Sequence, residues 1–130
     1  MFTIENIKAA HAKVKSGADF PAYVRELIQM GVQRYTHFVA DGHIVYEGAN
    51  GYTAEALAKY PHVQVNEHSS SETLKSSLKI HQQGGSDYLT FCKQSAYAGV
   101  DNWIVDMHAM TCAYSDKAGN EIVLEQIPTA

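Results

Sequence analysis

Apolar residues first recur at helical spacing. Ile4, Ile7, Ala10 and Val14 stand three or four positions apart, the period of one helix face. Thr3 precedes this stripe as an N-cap, and Ser16-Gly17 is expected to end it. Asp19 then caps a second helix, with Pro21 in the first turn, where its missing N–H costs nothing. Phe20, Tyr23, Val24, Leu27 and Ile28 form its apolar face, and Gly31 stops it. The period next changes to two. Segments 32–40 and 43–48 flank Asp41-Gly42, a strong short-range hairpin signal. A two-residue loop there sets Ala40 against His43, Val39 against Ile44, Phe38 against Val45 and His37 against Tyr46. Residues 49–61 read as either a short helix or an irregular loop, and 62–67 as a short strand with Val63 and Val65 on one face.

A similar pattern then returns. Ser69 and Glu72 fit a capping box ahead of Leu74, Leu78 and His81 at helical spacing. Gly84-Gly85 breaks that helix, and Asp87 caps a fourth, with Tyr88, Phe91, Cys92 and Ala96 on one face and Gly99 at its end. Residues 103–114 are expected as one long strand, 116–120 as a turn and 121–127 as a final strand. A shift of 68 residues brings Gly17 onto Gly85, Asp19 onto Asp87, Gly31 onto Gly99, Tyr35 onto Trp103 and Tyr46 onto Tyr114. These matches fall on caps, helix ends and core positions. The pattern predicts one α+β domain over residues 1–130: an antiparallel sheet of four or five strands with helices packed on it. It is built from two helix-helix-hairpin repeats, at about 3–48 and 70–127.

Composition narrows the classes of function. A chain of 130 residues, 45% hydrophobic and 18% charged, can build a core without metals or disulfides. The formal net charge is −4 and the lysines are scattered, which argues against a nucleic-acid partner. No apolar run has the length of a membrane span, and the N-terminus lacks the regions of a signal peptide. Cys92 and Cys112 make no disulfide framework. The chain therefore reads as cytoplasmic, with both thiols reduced.

Candidate chemistry is sparse. There is no phosphate-binding glycine loop, nucleophile elbow, metalloprotease helix or cysteine pair at metal spacing. No metal, cofactor or catalytic residue is expected. On a single strand 103–114, Asp106, His108, Cys112 and Tyr114 would share a face. His108 and Cys112 would still stand about 13 Å apart, beyond hydrogen-bond reach. A half-buried strand with a local Asp–His hydrogen bond is the ordinary alternative. His11 and His81 lie on helix faces that are otherwise apolar. Tyr35, Tyr46, Trp103 and Tyr114 occupy matching strand positions, where they either line a shared groove or pack the sheet against the helices. The candidate binding residues are His37, Tyr46, Trp103, Asp106, His108 and Tyr114.

Segment 81–92, His-Gln-Gln-Gly-Gly-Ser-Asp-Tyr-Leu-Thr-Phe-Cys, resembles a bacterial family catalogued as domain of unknown function 1398. So do Ala98-Gly99-Val100, Trp103-Ile104-Val105-Asp106, Met110-Thr111-Cys112 and the run from Tyr114 to Asn120. The resemblance covers essentially the whole chain. Members include YbcV-like proteins from prophage regions, and some carry the label phage envelope protein. The resemblance carries over no activity, substrate or catalytic residue. The leading expectation is a non-catalytic module that binds a protein or a small molecule. A small enzyme built around Asp106 and His108 and a phage structural protein stay open as alternatives.

Overall fold

The computed structural model describes residues 2–14 and 19–127. Among the described residues there are four α-helices and six strands: α1 (Ile4–His11), α2 (Phe20–Met30), β1 (Arg34–Phe38), β2 (Ile44–Glu47), β3 (Thr53–Ala56), α3 (Ser71–Gln82), α4 (Tyr88–Tyr97), β4 (Asn102–Asp106), β5 (Thr111–Ser115) and β6 (Glu121–Gln126). The sequence pattern carries the first helix to Ser16-Gly17, but α1 stops at His11, with Ala12 as its C-cap, so Val14 lies beyond it; Ser16-Gly17 itself lies outside the described residues.

Local chemistry accounts for most of the helix boundaries. Thr3 and Asp87 accept hydrogen bonds from the amides of Asn6 and Thr90, capping α1 and α4. Gly31 closes α2 in the left-handed conformation. The cap of α3 is Ser70, accepting from the amide of Thr73. The expected pair Ser69 and Glu72 therefore stands one residue too early.

All six strands are antiparallel, in the order β3-β2-β1-β4-β5-β6. The sheet is thus wider than the expected four or five strands, for two reasons. Segment 53–56, within the ambiguous stretch, pairs with β2 as an edge strand. The expected long strand 103–114 is two strands joined by a turn. The Asp106 carboxylate accepts from the amides of His108 and Ala109, and Met110 takes a left-handed φ of 55°. These bonds give the backbone an alternative to the ladder, so β4 ends at Asp106. Conversely, segment 62–67 forms no strand.

The first hairpin also differs in register. Tyr35 pairs with Tyr46 and His37 with Ile44, so the expected His37–Tyr46 pair is displaced by two residues. The loop is longer than Asp41-Gly42 because it is held from within and from outside. Asp41 accepts from the amide and the ring of His43, while Tyr60 donates its hydroxyl to the Val39 carbonyl. The Tyr60 ring lies so close to Gly42 that a Cβ there would sit 2.6 Å from it. A slip of two residues keeps every side chain on its face, so the core is unaffected.

Buried residues alternate along the central strands: Tyr35 and His37 on β1, Ile44 and Tyr46 on β2, Trp103 and Val105 on β4, Cys112 and Tyr114 on β5. The intervening residues are only half-buried. Helices therefore cover one face of the sheet, and the other meets solvent. The helices pack as two pairs, α1 on α2 and α3 on α4, with α1 reaching β3 and α3 reaching β6.

Candidate functional site

Between the helix pairs and the covered face lies a cavity of about 730 Å³. Its sheet wall is Tyr35, His37, Trp103, Cys112 and Tyr114, all buried. Tyr23, Leu78, Tyr88 and Phe91 enter from the helices. The lining residues Gln82, Asp87 and Gln126 are exposed and so mark the mouth. These residues meet because β1 and β4 pair at the centre of the sheet, which sets His37 directly across from Trp103.

His37 is the most constrained polar group in the cavity. It is 1% exposed, and its ring lies flat against Trp103 with centroids 3.9 Å apart and planes 7° from parallel. Nε2 shares a hydrogen bond with the Tyr88 hydroxyl and lies 3.9 Å from the Cys92 sulfur. Nδ1 has no hydrogen-bond partner, an uncommon state for a buried polar atom. Burial, helped by the positive charge of Lys59, pushes the imidazole down to a pKa of about 3, because a proton there would go unsolvated. His37 is therefore neutral at physiological pH. The same desolvation holds His11 and His81 below the ordinary histidine range. His11 rests edge-on against both Tyr23 and Tyr88, and His81 stacks on Phe91 while its Nδ1 meets Ser86.

The thiols are poor nucleophiles. Burial raises Cys92 to about 11 and Cys112 to about 12, so both stay protonated at neutral pH. The tyrosine hydroxyls of the walls are raised too, chiefly by desolvation. Among the described residues, no three His, Cys, Asp or Glu side chains gather to hold a metal, and no helix is long and apolar enough to cross a membrane.

The six residues singled out from the sequence separate into two places. His37, Trp103 and Tyr114 line the cavity. Tyr46 is buried behind it, against Tyr35 at 5.4 Å and sharing a hydrogen bond with Tyr23. Asp106 and His108 sit apart, in the β4–β5 turn, where the Asp106 carboxylate binds backbone amides rather than the His108 ring. They share no face with Cys112 and Tyr114, because the chain reverses between them. Sequence reasoning gave no role to Tyr88, Phe91 or Glu125. The first two carry a signal as apolar positions of α4, whereas Glu125 carries none.

The chain belongs to the family DUF1398, described as proteins of unknown function, whose model matches residues 8–126. No curated protein matches it.

Proposed function

We propose that this protein is a small-molecule-binding module whose site is the cavity between the helix pairs and the sheet. The observation that carries the reading is the character of that cavity. Its volume of about 730 Å³ falls within the ~300–1,000 Å³ typical of ligand pockets. Aromatic rings dominate its walls, and one neutral histidine with an unpartnered nitrogen sits among them. Large aromatic surface supplies affinity, while a few fixed polar groups set orientation. The protonated thiols, and an Asp106 carboxylate that binds backbone amides rather than the His108 ring, favour binding over catalysis.

An internal repeat belongs to the same reading. A shift of 68 residues carries β1 (34–38) onto β4 (102–106) and the pair Tyr35–Tyr46 onto Trp103–Tyr114. It also exchanges the pairs Arg34–Asp106 and Phe38–Asn102 while leaving Thr36–Ile104 in place, as a pseudo-twofold axis at that pair requires. The cavity then lies between the two halves, which supports a site created when they joined.

Trp103 is the sole tryptophan and lines the cavity, so it reports on occupancy. Titration with prodan, a neutral naphthalene dye, should give saturable energy transfer from Trp103 at one dye per chain. Absence of saturation up to the dye's solubility would count against the reading.

A further inference from the structure

We propose that the ligand taken by this cavity is an organic cation, an alkylated ammonium or cationic heteroaromatic group held against Trp103, Phe91 and Tyr114 and facing Glu125 and Asp87. This rests on the reading of the cavity as a binding site and goes further by fixing the ligand's charge.

The charged side chains of the lining are of one sign. Two are carboxylates, Asp87 and Glu125, and no lysine or arginine is present among the described lining residues. Glu125 lies across from Cys112 in the β5–β6 ladder. Its charge is felt in the wall, where it helps raise the Cys112 thiol and the Tyr114 hydroxyl. The Glu125 carboxylate accepts from the Gln82 side chain at 3.0 Å, which fixes it at the rim. Asp87 accepts from the Thr90 amide, so it occupies the α4 N-terminus that would otherwise attract an anion.

The aromatic walls point the same way. Trp103 has Phe91 at 5.6 Å and Tyr114 at 5.7 Å, ring centre to ring centre. The negative faces of such rings attract a cation within roughly 6 Å. A weakly hydrated charge, spread over alkyl groups or a ring, loses least on leaving water. An anion finds no lysine or arginine partner among the described lining residues. The positive charge of Lys59 acts on His37 and Cys92, and its ammonium donates to the Gly42 carbonyl. Its field repels a cation from the His37 end, so the charged group belongs at the Glu125 end, with the apolar part of the ligand toward His37.

The test compares three molecules of nearly one shape: N-benzylpyridinium, neutral diphenylmethane and anionic 2-benzylbenzoate. Dissociation constants are read from the NMR shift of the Trp103 indole N–H. Benzylpyridinium should bind about ten-fold more tightly than diphenylmethane, with benzylbenzoate weakest. In Glu125→Gln, and separately in Asp87→Asn, the ratio of cation to neutral affinity should fall. Equal or tighter binding of diphenylmethane or benzylbenzoate would overturn the cation inference while leaving the cavity as a ligand site. Failure of all three to shift Trp103 would remove both.

Discussion

The imidazole of His37 lies parallel to the indole of Trp103 at 3.9 Å across the β1–β4 pair. This contact joins the first half of the sheet to the second at the base of the cavity. A protonated His37 has no solvent there, and Nδ1 has no acceptor. The stack is therefore built for a neutral ring.

An acid-stability prediction follows from that burial. The folded pKa of His37 is about 3, against an ordinary 6.5. Between those values the unfolded chain binds a proton that the native state excludes. Stability should then fall as pH drops through this window, by up to about 1.4 kcal/mol per pH unit from this site. Urea unfolding of the protein and of His37→Gln at pH 7, 5.5 and 4.5 isolates the contribution. The variant should lose less stability on acidification, whatever its stability at pH 7. Parallel losses would show that His37 does not carry the effect.

The two cysteines should resist modification in the native state. Both are buried, and burial holds their thiols at about 11 and 12. Little thiolate forms at pH 8, and access requires opening of the fold. Iodoacetamide followed by mass spectrometry should find both unlabelled in buffer and both labelled in denaturant. Rapid native labelling of Cys92 would contradict its placement on the buried face of α4, against His37.

Gly99 and Gly119 share a φ of +87° but differ in surroundings. A Cβ on Gly99 would meet Ser69 Cα at 2.6 Å and the His68 carbonyl oxygen at 2.8 Å, whereas one on Gly119 meets nothing within 4 Å. Gly119→Ala should cost about 1 kcal/mol, the penalty of a left-handed backbone alone. Gly99→Ala should cost at least about 1 kcal/mol more, because the 66–70 segment must move. Thermal unfolding of the two variants checks the order.

Much of this architecture is written locally. Thr3, Asp87 and Gly31 mark helix ends because capping acts within a few residues. Alternation along 34–38 and 102–106 marks the covered face. What the sequence hides is set by tertiary contact or by uncommon turn chemistry. Met107 to Met110 contains neither glycine nor proline, so the reversal after Asp106 is silent until its carboxylate is seen binding two amides. The slipped β1–β2 register depends on Tyr60, far along the chain, closing over Gly42. The cavity was legible only in its aromatic residues: Trp103 and Tyr114 stand out by pattern, but nothing local announces that Glu125 turns toward them.

On the proposed function, ligand enters between the helix pairs and the covered face of the sheet. The direct measurement is an NMR titration of the isotope-labelled protein with prodan, following backbone and aromatic signals together. Shifts should concentrate on Tyr23, Tyr35, His37, Tyr88, Trp103 and Tyr114, saturating with one dissociation constant. Shifts gathered instead on Val45, Ile104, Ala113 and Leu124, which lie on the open face, would contradict the account and make that face the binding surface.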